Sequence, residues 1–320
     1  MKKFLIKGGI FVAVLFLGAV ALDHTICSGL LKMEDYRFQD YSAMLKGGMD
    51  HDVLIVGNSG AKAHYNTYLI DSLCHVSSFN IGSGYYPINI ELMKYRLYEE
   101  HNKKPKLIIL NLDGGTLWSL TDIRRKHQSE QFFPLVYDPV MRKELMKVGY
   151  GFKELFIPLY RFWGYQMVIK NGLFEALHLK HYVSMPAYKG FRAEEGGWDG
   201  TNFHNMKPGP VDFDPYSRSL LEHFLEECYR DSIKVVTVTS PMYHEATELL
   251  LGLDEMQDWL NSFSDRFGFP YLDYMSNLPI SLDTTNFCNA SHMNPAATAE
   301  FTRILCQDLN SRGNLIPSKQ

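Results

Sequence analysis

The stretch Asp52-Val53-Leu54-Ile55-Val56-Gly57-Asn58-Ser59-Gly60 decides how this chain is read. Val53, Ile55 and Val56 are β-branched, and with Leu54 they run unbroken into a turn of Gly, Asn, Ser and Gly. A continuous apolar run bounded by turn residues suits a strand buried on both faces, as in the middle of a parallel α/β sheet. Ligands of open α/β sheets bind beyond the carboxyl ends of the strands. Ser59 leaves the strand at that end. The same residue types also build an ordinary βα turn, so this stretch alone leaves both readings open.

The flanking sequence repeats the pattern. Short apolar runs at Ser78–Ile81, Leu107–Leu110, Ile233–Thr239 and Phe269–Asp273 predict further strands. Helical spacing appears between them, over His64–Leu73, after Pro87, and from Met256 to Phe267. Asp214 before Pro215 and Asn294 before Pro295 each pair a capping side chain with a proline suited to the first helical position. This βαβα alternation predicts a three-layer α/β sandwich with a parallel sheet. The rhythm breaks over about residues 116–212, which hold Trp118, Phe132, Phe133, Phe152, Phe156, Trp163 and a Gly-rich part around Gly190 and Gly196-Gly197. We read it as a mostly helical insertion plus a long loop over the sheet edge. Its aromatic residues suit either a carbohydrate platform or the insertion's own core.

The N-terminus carries its own signal. Lys2 and Lys3 precede a mostly apolar stretch from Phe4 to Leu22, interrupted by Lys7. A positive start followed by an apolar run is an export signal. Ala19-Val20-Ala21 offers a small-residue cleavage site, and both a cleaved signal peptide and an uncleaved anchor satisfy the pattern. Residues 1–27 are therefore set apart from a main domain over 28–320, in which Leu30 to Leu45 predicts a helical stalk. The location implied is the cell envelope, outside the cytoplasm, with the membrane held through the N-terminal segment.

Composition excludes several classes. The net charge of -4 comes with no basic cluster interleaved with aromatics, which argues against nucleic acid. The five cysteines show no zinc spacing, and no histidine or carboxylate cluster suggests a metal. Gly60-Ala61-Lys62-Ala63 breaks a phosphate-binding loop, and Gly82-Ser83-Gly84 lacks the third glycine of a dinucleotide fingerprint. No cofactor is expected. A serine nucleophile needs a base, and among the histidines His292 stands out, two residues before the capped terminal helix.

With Ser59 early and His292 late, the chain resembles the SGNH (GDSL-like) hydrolases. Gly57-Asn58-Ser59 looks like their first block, Gly82 their second-block oxyanion glycine, Asn111 their third-block asparagine, and Ser291-His292-Met293-Asn294 their last block. The resemblance covers roughly residues 50–113 and 214–310. It is closest to the exported or membrane-anchored branch that includes proteins of the DltD and alginate O-acetylation type. The resemblance implies a flavodoxin-like sheet and a serine esterase or O-acyltransferase. Ser59 would be the nucleophile, His292 the base, and the Ser59 N–H, the Gly82 N–H and the Asn111 side chain the oxyanion hole. The substrate implied is an acyl ester, acetyl in particular, of an envelope or exported glycan, and a multi-pass membrane acyltransferase is the implied partner. One position departs. Three residues before His292, where the family carries its triad aspartate, stands Asn289. The reading then divides. Another carboxylate, Asp283 or Asp113, fills the role; or the Asn289 carbonyl oxygen orients His292; or the site is inactive and binds a glycan or an acyltransferase.

Overall fold

The computed structural model describes residues 1–200, 203, 206–312 and 315–316. Residues 201, 202, 204 and 205, within the expected insertion, lie outside the described residues. The chain divides into two compact units, Met1–Lys46 with Thr121–Pro186, and Gly47–Leu120 with Ala187–Gln320. The N-terminal segment and most of the insertion therefore belong to one unit, and residues 187–212 belong to the other.

The first unit is built on helix α1 (Lys2–Leu30). By length and composition α1 is able to cross a membrane. Its apolar part is exposed, with Phe4, Phe11 and Leu17 facing outward. The helix does not end with the apolar run. At Asp23 it turns into the interior: that buried carboxylate accepts from Tyr137 Oη (2.6 Å), the Leu159 N–H (2.6 Å) and Arg161 Nη1 (3.0 Å). Ile26, Leu30, Met33 and Phe38 then form a core with Phe133 and Phe162. The helix Gln166–Ala176 packs along α1. A Cβ on Gly29 would fall 1.8 Å from the Gly172 carbonyl oxygen, and one on Gly172 2.7 Å from that of Ile26. Two glycines thus let the backbones touch. The stretch expected as a stalk is instead folded in, as the helix Tyr36–Lys46 buries Phe38, Tyr41 and Met44.

The second unit is an α/β sandwich. Its strands are β1 (Val53–Gly57), β2 (Ser78–Asn80), β3 (Leu107–Asn111), β4 (Lys234–Thr239) and β5 (Tyr271–Asp273), all parallel, in the order β2-β1-β3-β4-β5. This order places a topological switch point between β1 and β3, where α/β sheets bind ligands. Gly57 pairs with Asn111 at that end. Its φ is +141°, and a Cβ there would meet the Asn111 carbonyl oxygen at 2.6 Å, so glycine is required.

Alternate residues of the strands, Val53 and Ile55, Leu107 and Ile109, Val236 and Val238, face one core with Phe301 and Leu305. That side is covered by α2 (Ser59–His64), α3 (Thr67–Cys74) and α7 (Pro295–Ser311). The other side carries α4 (Ile88–His101), α5 (Pro215–Arg230) and α6 (Leu253–Phe267), with Tyr95 of α4 edge-on to Phe224 of α5. The predicted caps are in place: Asp214 accepts from the Ser217 N–H at 2.9 Å, and Asn294 from the Ala297 N–H at 3.0 Å. A loop crosses the edge strand, where the Asn80 N–H donates to Lys189 O at 2.9 Å. Gly190, at φ +79°, sits where a Cβ would strike the Asn80 carbonyl oxygen.

Candidate active site

Strand β1 delivers Ser59 to the first position of α2. From residue 53 to residue 65 every side chain is buried except that of Ser59. Its N–H opens the helix and has no acceptor within it. The turn is held by Asn58, whose Oδ1 accepts from the Gly60 N–H at 2.9 Å. Asn58 Nδ2 donates to both oxygens of Asp113 (2.9 and 2.8 Å) and faces Thr116 Oγ1 at 3.1 Å.

His292 lies in a short hairpin, β6 (Phe287–Asn289) with β7 (His292–Met293). Asn289 Oδ1 lies 3.0 Å from His292 Nδ1 and accepts from the Ser291 N–H at 3.0 Å. A backbone N–H can only donate, so the amide oxygen, not the nitrogen, faces the ring. Nδ1 then carries the ring proton and Nε2 is the basic nitrogen, as a general base requires. Asn289 thus selects the productive tautomer. As a neutral amide it adds no charge to stabilise an imidazolium. Burial pushes the His292 imidazole below its ordinary value, against the pull of the Glu194 and Asp113 carboxylates, so the ring is neutral at pH 7.

The two alternative carboxylates are engaged elsewhere. Asp283 caps its own turn, accepting from the Thr285 N–H at 2.8 Å. Asp113 holds Asn58, the Gly115 N–H (2.9 Å) and Thr116 Oγ1 (2.9 Å). Of the expected oxyanion donors, one is also committed and another is buried. The Gly82 N–H donates to Asn80 Oδ1 at 2.9 Å. A Cβ on Gly82 would meet the Lys62 nitrogen at 2.6 Å, so glycine here serves close packing against α2. Asn111 is wholly buried; it accepts from Tyr65 Oη at 2.7 Å, and its Nδ2 faces Asn58 Oδ1 at 3.4 Å. Of the expected donors, the Ser59 N–H is the one both uncommitted and at a partly exposed residue.

Ser59 and His292 share no hydrogen bond; buried hydrogen bonds lie between the turn of the one and the hairpin of the other. The Met293 N–H donates to His64 Nε2 at 3.2 Å, which leaves the proton of His64 on Nδ1, 2.7 Å from Ser240 Oγ. On the far side of Ser240, Tyr65 Oη donates to Asn111 Oδ1 at 2.7 Å, and Asn111 faces Asn58, which holds Asp113. His64 and Ser240 have nucleophile-to-base spacing, yet the ring donates to the hydroxyl and both side chains are buried. They are therefore not a second catalytic pair. Burial holds the His64 imidazole well below its ordinary value and the Tyr65 phenol well above its own. The rings of His64 and His292 meet edge to face, centroids 5.9 Å apart. The chain fastens the His292 hairpin to the Ser59 turn.

The sequence reading passed over His64, Tyr65, Ser240 and Glu194. One signal was present: Ser240 follows β4 at its carboxyl end, as Ser59 follows β1. Among the described residues no group of histidines, cysteines and carboxylates is arranged to hold a metal. A cavity of about 610 Å³, lined among others by Arg124, Arg161 and Trp163, belongs to the first unit and contains none of these residues.

No protein-family model matches the chain, and no curated protein matches it. Among solved structures it is similar to a protein of Bacteroides fragilis NCTC 9343 described as a "putative acylhydrolase", with 12% identity, a TM-score of 0.40, and coverage of 87% of this chain and 95% of that one.

Proposed function

We propose that the chain is an exported serine acyl-ester hydrolase or O-acyltransferase acting on an envelope glycan. The observation that carries this reading is the isolation of Ser59. It is the one solvent-reaching side chain in a buried strand-turn-helix, at the sheet end where α/β sites form. His292, with Nε2 basic, lies on the hairpin tied to the same helix. In the reaction Ser59 Oγ attacks the ester carbonyl while His292 Nε2 takes its proton. The proton then passes to the leaving alcohol oxygen, and the acyl group stays on Ser59. Water completes hydrolysis, and a glycan hydroxyl completes transfer. Lys2 and Lys3 before the apolar part of α1 favour an orientation with both units outside the cytoplasm.

A second reading also has an observation behind it. With the Gly82 N–H committed to Asn80 and the Asn111 amide wholly buried, the oxyanion hole is short of donors. Each missing donor costs about 100- to 1000-fold in rate. A slow enzyme, or a binding protein for a glycan or a membrane acyltransferase, follows from that. Labelling by a fluorophosphonate separates the two. An activated Ser59 is labelled and Ser59→Ala is not, with its melting temperature unchanged. Absence of labelling in both, together with glycan binding, favours the binding protein.

A further inference from the structure

We propose that the segment from Phe152 to Met167 is a bilayer-docking surface that seats the first unit in the interfacial zone of a phospholipid membrane around α1. Within sixteen consecutive residues (152–167), Phe152, Phe156, Ile157, Tyr160, Trp163 and Met167 all stand exposed, Trp163 at 81%. A soluble surface scatters its exposed apolar residues; here six large ones crowd into one short segment, with the Phe152 and Phe156 ring centroids 5.3 Å apart.

The occupant follows from where α1 places this run. Asp23 is the first charged residue after the apolar stretch, and its carboxylate holds the Leu159 N–H and the Arg161 guanidinium. Residues 159–161 are therefore fixed at the height where α1 leaves its apolar part. The helix Gln166–Ala176 runs in the same direction as α1: Gly172 lies against Ile26 and Ala176 against Gly29, and beyond the helix ends Glu34 pairs in parallel with Val183. Five residues before Gly172, Met167 thus sits about 7.5 Å lower, level with the last apolar turn. Trp163 lies between the two in sequence. An exposed tryptophan and tyrosine at the end of an exposed apolar helix occupy the headgroup zone, where amphipathic rings are favoured.

The charges agree. Arg142 lies over the Phe156 ring (5.3 Å) and Lys153 over that of Tyr160 (5.8 Å). Each cation is carried by an apolar ring toward the phosphate layer. The surface rests on the first unit alone and stands independently of the acyl-transfer chemistry.

The test uses the full chain in phosphatidylcholine vesicles whose acyl chains carry bromine, a contact quencher of tryptophan. Wild-type emission should be quenched, and Trp163→Phe, an exposed and conservative change, should lose most of that bromolipid-dependent quenching. The other three tryptophans, Trp118, Trp198 and Trp259, report the remainder. Equal fractional quenching in both proteins overturns the proposal. So does release of the wild type from the vesicles by alkaline carbonate, which would mean that α1 is not inserted. A dimer in detergent whose Trp163 emission is indifferent to bromolipid would assign the face to a second copy instead.

Discussion

Replacing Asn289 by aspartate isolates one physical quantity. In the serine-protease example, the opposite change costs about 10⁴ in kcat because the amide selects the wrong tautomer. In this chain the tautomer is already correct, since Asn289 Oδ1 accepts from the Ser291 N–H and faces His292 Nδ1. An aspartate would keep both contacts and add a charge. At roughly 4 Å, a carboxylate–imidazolium pair gains about 1 kcal/mol in water and about 4 kcal/mol at an effective dielectric of 20. Asn289 is exposed, so the gain lies toward the lower figure. A gain of about 1.4 kcal/mol is a tenfold rise in kcat and, at the same time, about one pH unit on the His292 titration. The assay is hydrolysis of a short acyl ester across pH. Asn289→Asp should raise the plateau at least about tenfold and move the acid limb upward by about one unit. A faster enzyme with an unmoved acid limb would show that the charge acts elsewhere. A rise toward about 10⁴ would show that the amide nitrogen, not the oxygen, serves the ring, and the orientation argued from Ser291 would fail.

Ser240→Ala removes the partner of His64 Nδ1 from a buried site. It should destabilise the protein by about 1–3 kcal/mol for each group left unsatisfied, measured by urea unfolding. A melting curve identical to wild type would refute the hydrogen-bond chain. Stability should also fall as pH drops below about 6.5, because the unfolded chain protonates its histidines while folded His64, His292 and His51 have depressed values. His64 is fully buried and should dominate, at up to about 1.4 kcal/mol per pH unit; His64→Gln should flatten the slope, and an unchanged slope would place the titration elsewhere.

The sheet was legible because its central strands are continuous apolar runs, and α5 and α7 because Asp-Pro and Asn-Pro announce their first turns. Ser59 was legible as the residue at a strand end, and Asn289 by its spacing from His292. The chain through His64 was not, because it joins residues 293, 64, 240 and 111, far apart in sequence. The commitment of Gly82 had a local sign that went unread: Asn80 bonding the N–H two residues on is an Asx turn. The joining of α1 to the insertion was hidden because the apolar pattern ends at Leu22 while the helix goes on to Leu30. Asp23, a lone charge at the edge of an apolar run, reads as an ordinary boundary until Arg161 is found beside it.

The two ends of the buried chain have a consequence of their own. At one end stands the Met293 amide, which cannot give up its hydrogen; at the other the Asp113 carboxylate accepts. The Met293 amide therefore orients the His64 ring, with its remaining proton toward Ser240, and on the Asp113 side the Tyr65 hydroxyl and the Asn111 and Asn58 amides donate in the same sense. Such a row is frozen: no proton can hop along it, since the first link has none to release. A proton collected by His292 has to return to the leaving group or go out to solvent, and the rigid row beneath it serves as an anchor, never as a wire.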